Sequence, residues 1–170
     1  MQLKEIITVL EQMAPTAYAE DFDNVGLLVG DKNLNVTGIL VCHDALESVI
    51  DEAVDKGCNL VVCFHPIIFS GMKKLTGKTY VERAVIKAIR KDVAIYAVHT
   101  GLDNHPDGVN KILCNALGLK NTQILMPKES FIQKLTTFVP VAHSQSVTQA
   151  LFSAGAGAIG NYDNCSFISQ

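Results

Sequence analysis

The sequence predicts an α/β fold, in which a three-layer, mainly parallel sheet with flanking helices is followed by the start of a smaller α+β insertion domain. Three apolar runs, at 39–42, 60–64 and 93–98, have the length and composition of buried strands. Helical patterns separate these runs, and a strand, helix, strand succession implies parallel pairing. Each run is followed by a histidine, and ligands of open α/β sheets bind at the carboxyl ends of the strands.

The spacing of apolar residues predicts the elements of residues 1–129. Apolar residues recur at helical spacing from Leu3 to Met13, until Pro15 ends the pattern, and Gly57 and Gly118 are typical stops for later helices. In chain order we predict a helix at 3–13, a loop at 18–23, strands at 25–30 and 36–43, a helix at 45–56, a strand at 59–64, an irregular excursion at 67–75, a helix at 80–90, a strand at 93–98 and a helix at 106–117. The strand at 36–43 is expected to be buried.

The composition of the chain changes after residue 128. A strand is predicted at 134–141, a helix at 145–152 and a glycine-rich turn at 155–160. We therefore divide the chain into residues 1–129, the N-terminal part of one α/β domain, and residues 130–170, the truncated beginning of an inserted domain.

Composition and charge exclude several classes of protein. With 170 residues, of which 48% are hydrophobic and 18% charged, the chain suits one globular domain or one domain and part of another. A formal net charge of −3 gives no electrostatic basis for binding nucleic acid or an anionic membrane. We expect a soluble, cytoplasmic protein, because we find neither a signal peptide nor a membrane-spanning run. Five cysteines without a CxxC pair indicate neither a disulfide framework nor a zinc knuckle.

His65 is the strongest single candidate for a functional residue. It follows a strand too apolar to be exposed, and Pro66 restricts its backbone to an extended conformation. The imidazole then leaves the sheet edge in a fixed direction. A hydrogen-bonded structural role is more common for a lone histidine, but a second histidine and a carboxylate at the next strand end favour a metal site.

That second pair is His99 and Asp103, which follow the strand at 93–98 and lie four residues apart. A helix would align the two side chains, but Gly101 and the preceding strand favour a turn. Asp103 could be a metal ligand or could equally cap the helix that follows, and both roles stay open.

Other polar residues are weaker candidates. Asp44 is well placed to cap the helix from Ala45, so a structural role is the first interpretation for His43 and Asp44. His105 and His143 lie in polar surroundings and are expected to be solvated. The glycine-rich turn at 155–160 superficially matches GxGxxG, but it follows a helix rather than a strand, so we do not interpret it as a dinucleotide site.

Several short motifs, taken together, resemble one known family. They are Ala14-Pro15, the stretches at 22–27, 65–69, 99–103 and 108–110, and, further along, 155–157 and 161–167. In order and approximate spacing they resemble the NIF-three-like family, also called GTP cyclohydrolase I type 2 homologues. The last two motifs look like the beginning of that family's inserted domain.

The resemblance implies an α/β fold, a ring-shaped homohexamer and a pair of divalent metal ions of the Zn, Mn or Fe class in an interior cleft. It implies that His65 and Asp103 are metal ligands and that His99 lies in or next to the coordination sphere. The family normally has a His-His-Pro triplet, but its first position is Phe64 here, which cannot coordinate a metal. The family's other His and Glu ligands come from a C-terminal segment that this chain does not contain. A single weakly held ion and an absent ion are therefore both open.

Two functions remain as hypotheses. The first is a metal-dependent hydrolase of a phosphorylated or nucleotide-like small molecule, in which His65 and Asp103 hold metal and His99 orients water or acts as a general base. The second is a non-catalytic metal-binding scaffold or regulatory interaction protein, which the Phe64 substitution favours. We see no purine-reading motif that would support cyclohydrolase activity.

Overall fold

The computed structural model describes residues 1–127 and 133–169. The chain divides into two compact units, Met1–Gln123 and Ile124–Gln170. The predicted boundary between residues 129 and 130 lies outside the described residues.

The first unit contains a four-stranded sheet and five helices among its described residues. The strands are β1 (Gly26–Val29), β2 (Ile39–Asp44), β3 (Leu60–His65) and β4 (Ala94–Ala97). The helices are α1 (Leu3–Met13), α2 (Glu47–Asp55), α3 (Tyr80–Arg90), α4 (His99–Asp103) and α5 (Val109–Ala116), with a 3-10 turn at Thr16–Tyr18.

The sheet is mainly parallel, as the sequence predicts. Its strand order is β1–β4–β3–β2, and the central residue Leu60 pairs with Ile39 of β2 on one side and with Ala94 of β4 on the other, both in parallel register. Only β1 runs antiparallel, with Gly26 opposite Ala97. The three apolar runs therefore end at the same edge of the sheet.

Alternate side chains of β3 are buried on opposite faces of the sheet. Leu60 and Val62 pack with α1 in one cluster of buried residues, whereas Val61 and Cys63 pack with α2 and α3 in another. Helices thus cover both faces, and the predicted three-layer arrangement is confirmed. Burial raises the pKa of the Cys63 thiol to about 12, which fits a buried structural cysteine.

The expectation that β2 is buried is wrong. β2 lies at the edge of the sheet, and Val41 is 76% exposed. Only the alternate residues Leu40 and Cys42 pack against the core from this strand. An apolar run predicts a strand, but its position in the sheet depends on long-range pairing that the run does not encode.

The second unit is simpler among its described residues. It contains α6 (Ser144–Ser153), which confirms the predicted helix, preceded by a 3-10 turn at Val141–His143. The strand predicted at 134–141 is wrong, because residues 133–140 have no regular secondary structure and pair with no described strand. The glycine-rich turn is present, and just after it the backbones of Ile159 and Tyr162 hydrogen-bond to each other around Gly160 and Asn161.

Two valines on adjacent strands test the layer assignment. Val61 is fully buried in β3, whereas Val41 is mostly exposed in β2. We expect Val61→Ala to lower the free energy of unfolding by about 2 kcal/mol, because it removes buried methyl groups and leaves a cavity. Val41→Ala should change it by less than about 1 kcal/mol. Urea unfolding of both variants provides the comparison, and equal losses would contradict the edge position of β2.

Candidate metal centre

The ends of β2, β3 and β4 bring three histidines together. Asp44 and His65 are register partners in β2 and β3, and His99 follows β4 directly. The ring centres of His65 and His99 lie 5.4 Å apart, and those of His43 and His65 lie 4.4 Å apart. The carboxyl edge of the sheet is therefore rich in imidazole nitrogens.

His65 is oriented by a carboxylate from the neighbouring strand. Its Nδ1 lies 2.8 Å from Oδ1 of Asp44, and the other oxygen of that carboxylate lies 3.2 Å from Nδ1 of His43. Hydrogen bonds from His65 and His43 hold the pKa of Asp44 below its ordinary value. The carboxylate favours the proton on Nδ1 of His65, which leaves the lone pair on Nε2.

Asp44 does not cap the following helix. Helix α2 begins at Glu47, and its N-cap Leu46 makes no side-chain capping bond. The structural interpretation of His43 and Asp44 as part of a helix cap is therefore wrong. The carboxylate of Asp44 instead contacts Nδ1 of His43 and of His65. An aspartate is equally suited to cap a helix and to hold a histidine, so the residue type alone does not show which role it has.

His99 is oriented in the same way by Asp23. Its Nδ1 lies 2.9 Å from both carboxylate oxygens of Asp23. The side chain of His99 is 18% exposed and that of Asp23 is 0% exposed. The two histidines at the ends of β3 and β4 therefore share one arrangement, with Nδ1 on a carboxylate and Nε2 available.

Asp23 is anchored by several further donors. Its carboxylate accepts hydrogen bonds from the hydroxyl and backbone N–H of Thr100 and from the backbone N–H of Asn24. Burial alone would raise the pKa of Asp23, but the hydrogen bonds from Thr100, His99 and Asn24 together outweigh it and hold the pKa below its ordinary value. Asp23 is thus a buried, ionised anchor for the segment that follows β4.

The sequence-based predictions assign no role to Asp23. It lies in the 22–27 motif of the family resemblance, but it is 76 residues from its partner His99. No periodicity or local spacing connects two residues so far apart. A metal-binding histidine usually donates its second ring N–H to a carboxylate, and this general rule is the one reason to expect a partner such as Asp23.

The segment from His99 to Asp103 is helical, so the predicted turn is wrong. Gly101 lies inside this short helix, and a Cβ there would come within 3.0 Å of the backbone oxygen of Pro15. The glycine therefore serves close packing rather than chain reversal. His99 itself has a φ of 24°, an uncommon backbone conformation for a residue other than glycine.

Asp103 does not cap the next helix either. Helix α5 has Gly108 as its N-cap and no side-chain capping bond, so the capping alternative is wrong. Burial raises the pKa of the Asp103 carboxyl, with His99 acting to lower it and Asp23 to raise it further. Its carboxylate thus lies within electrostatic range of His99 and Asp23.

The ring of Phe64 lies beside the rings of three histidines. Its ring centre lies 5.4 Å from that of His43, 5.1 Å from His65 and 5.5 Å from His99. The phenyl ring contacts the histidines but provides no metal ligand.

These side chains fit a divalent metal ion by their chemistry. Two uncharged imidazoles and a carboxylate suit zinc, manganese or iron. Among the described residues, one group has three potential ligand atoms within 4.8 Å of one another, and it consists of His43, Asp44 and His65. The predicted set of His65, His99 and Asp103 does not form so close a group.

The two weaker histidine candidates lie outside this group. His105 is half-buried rather than solvated, because its ring stacks on Tyr18 and its Nδ1 accepts a hydrogen bond from the backbone of Asp107. His143 is exposed, as predicted.

In the part of the chain that the structure describes, no helix combines the length and apolar composition that crossing a bilayer requires.

The fold and the site define a class of α/β protein that places histidines and carboxylates at the carboxyl edge of a mainly parallel sheet. A family model described as Duf34/NIF3 (NGG1p interacting factor 3) matches residues 1–167. The chain belongs to this family, which confirms the resemblance in the sequence.

Individual relatives agree with this assignment. A Bacillus subtilis (strain 168) protein named GTP cyclohydrolase 1 type 2 homolog is 40% identical over 98% of this chain, but the match covers 45% of that relative. The crystal structure of a Bacillus cereus protein related to NIF3 matches 98% of this chain and 46% of its own, with 38% identity and a TM-score of 0.71. Reduced HcgD from Methanocaldococcus jannaschii matches 74% of this chain and 50% of its own, with 29% identity and a TM-score of 0.68. The chain thus spans about half the length of these relatives.

Removing the charge of Asp23 tests its role as an anchor. We expect Asp23→Asn to lower the free energy of unfolding by roughly 2 kcal/mol, because the donors of His99 and Thr100 then face a neutral amide. The exposed Asp21→Asn is the matched control and should change stability by less than about 0.5 kcal/mol. Urea unfolding at neutral pH measures both.

The difference in stability between wild type and Asp23→Asn should depend on pH. Since the folded-state pKa of Asp23 is below its ordinary value of 3.8, its contribution is present above that pH and is lost as the pH falls through the folded-state pKa. The stability difference between wild type and Asp23→Asn should therefore narrow from about pH 5 to about pH 3. A difference that stays constant over this range would contradict an ionised Asp23.

Proposed function

We propose that this protein binds a divalent metal ion of the Zn, Mn or Fe class at His65, His99 and Asp103 and uses it to hydrolyse a phosphorylated or nucleotide-like small molecule. The observation that supports metal binding most strongly is the orientation of the two histidines. Asp44 and Asp23 each hold one Nδ1, which leaves both Nε2 atoms as ligands.

In this proposal each residue has a defined task. His65 and Asp103 hold the metal, and His99 either completes the ligand set or orients a water molecule and accepts its proton. A bound divalent metal supplies an activated water and polarises the phosphoryl oxygen. Asp23 keeps the proton of His99 on Nδ1, so that Nε2 remains basic and points away from the buried carboxylate.

The donors of the described residues suit one ion better than two. A catalytic zinc usually has three protein ligands, and this set provides three in total. Phe64 occupies a position next to all three histidine rings without adding a donor. We therefore propose a single, weakly held ion for this chain.

A neighbouring cavity supports a phosphorylated substrate. A cavity of about 460 Å³ begins at Pro66, the residue after His65, and Lys73, Lys74 and Tyr80 contribute to its lining. This volume lies in the range of small-ligand sites, and the two ammonium groups suit an anionic ligand. The name of the curated relatives refers to GTP cyclohydrolase, but we find no purine-reading motif in the sequence, so the proposal does not extend to cyclohydrolase activity.

Assembly and location are further parts of the proposal. The family resemblance favours a homohexamer with the cleft on its interior, and we propose a homo-oligomer in the cytoplasm. We expect no nucleic acid and no membrane as a direct partner, because a net charge of −3 does not attract either of these anionic surfaces.

A non-catalytic scaffold is the second candidate function. The observation that favours it is Phe64, because an aromatic ring among three histidines reduces the number of metal donors and adds apolar surface. A protein with an impaired site of this kind could still bind partners through its surface.

Hydrolysis of a panel of phosphoesters with added Mn²⁺ or Zn²⁺ distinguishes the two functions. We expect metal-dependent turnover by the wild type and a loss of at least about 100-fold in His65→Ala, because the substitution removes a metal ligand. His143→Asn, at an exposed histidine of the second unit, is the control and should retain full activity. No metal-dependent turnover by the wild type would exclude the hydrolase, and full activity of His65→Ala would exclude this site.

Restoring a donor at position 64 is a second test. We expect Phe64→His to bind Zn²⁺ at least about tenfold more tightly than the wild type, because the new imidazole lies among the rings of His65 and His99. Phe138→His adds a histidine at a fully exposed position and should leave the affinity unchanged. Isothermal titration measures the affinities, and an equal effect of both substitutions would mean that position 64 is no part of a metal site.

A further inference from the structure

The exposed corner where β2 and β3 end contains a compact group of potential ligand atoms, of which the proposed hydrolase uses only His65 as a metal ligand. The Nδ1 atoms of His43 and His65 face opposite oxygens of the Asp44 carboxylate, at 3.2 and 2.8 Å. One ligand atom from each residue lies within 4.8 Å of the others, which makes this the closest group of potential metal ligands among the described residues.

We propose that His43, Asp44 and His65 form a transition-metal site of their own at this corner, suited to Zn²⁺ and similar divalent ions. Ligand atoms around one zinc ion, at bond lengths of about 2.1 Å, lie about 3.4 Å apart in a tetrahedral arrangement. The spacing of the two Nδ1 atoms from the carboxylate is close to this value, so an ion can replace the shared protons with small side-chain rotations.

The ring of His43 is held in position before any ion binds. It stacks on Phe64 with a ring-centre distance of 5.4 Å and an interplanar angle of 14°, and it meets the ring of His65 edge-on at 74°. Phe64 therefore has a role at the corner although it provides no ligand. It limits the orientations of an otherwise mobile surface imidazole, which lowers the entropic cost of binding.

A purely structural role explains the group less well. The side chains of His43, Asp44 and His65 are 69%, 52% and 44% exposed, and ion pairs at such exposure add little to stability. One carboxylate also balances the charge of only one of two protonated histidines. A divalent ion matches two neutral imidazoles and one carboxylate, and the exposed side has room for water to complete the coordination.

The corner site and the proposed cleft share His65 but no other residue. A neutral imidazole has one lone pair for a metal, so the two positions compete for His65 rather than fill independently. The corner therefore does not depend on the proposed hydrolase function, since neither His99 nor Asp103 takes part in it.

Zinc titration in a background without the cleft tests the proposal. In Asp103→Asn, which removes a cleft ligand only, we expect one Zn²⁺ per chain by isothermal titration calorimetry. Adding His43→Asn should weaken this binding at least about tenfold, because a ligand is lost, whereas adding His143→Asn should not change it. Asp103→Ala replaces the background if Asp103→Asn does not fold.

The outcomes separate the two proposals. An affinity unchanged by His43→Asn, or a background that binds no zinc while the wild type does, overturns the corner site and leaves the cleft intact. Equal zinc affinity of wild type and Asp103→Asn, with loss on adding His43→Asn, supports the corner site and argues against metal in the cleft.

Discussion

The parallel alignment of β2, β3 and β4 is the constraint on which the site depends. Because these strands run in the same direction with Leu60 paired to Ile39 and Ala94, their carboxyl ends coincide at one edge. His65 ends β3, Asp44 ends β2 beside it, and His99 follows β4. A shift of one residue in either pairing would turn alternate side chains to the other face, which the buried faces of β3 prevent. The packing that stabilises the core therefore also places the polar residues.

Alignment alone brings the histidines together, but two carboxylates determine what they can do. Asp44 holds Nδ1 of His65 from the adjacent strand, and Asp23 holds Nδ1 of His99 from a loop that precedes β1. In both pairs the carboxylate favours the proton on Nδ1 and leaves Nε2 with its lone pair. The pairs differ in exposure, since the side chain of Asp23 is buried and accepts several further hydrogen bonds, whereas that of Asp44 is half-exposed and shared with His43. His99 is therefore held in a largely buried setting, whereas His65 is held at the surface.

Local signals in the sequence predicted the elements well and the contacts poorly. The bounds of α3 were predicted to the residue, because its apolar stripe is long and Thr79 accepts a capping bond from the backbone of Glu82. The edge position of β2 and the missing strand at 134–141 could not be predicted, since both depend on which strands pair. The site shows the same limit. The position of His65 and His99 at neighbouring strand ends could be predicted because strand ends are visible in the sequence. The contacts of Asp23 with His99 and of Asp44 with His65 could not, because they join distant segments.

Nitrogen-15 NMR of the histidine rings tests the central claim most directly. In metal-free protein, above histidine's ordinary pKa of about 6.5, long-range proton–nitrogen correlations report which ring nitrogen carries the proton. The account predicts that His65 and His99 both carry the proton on Nδ1, because a carboxylate faces that atom in each ring. Adding Zn²⁺ should shift the Nε2 resonance of His99 and leave the resonances of the exposed His143 unchanged. Protons on Nε2 of both rings, or a His99 signal that does not respond to zinc, would contradict the account.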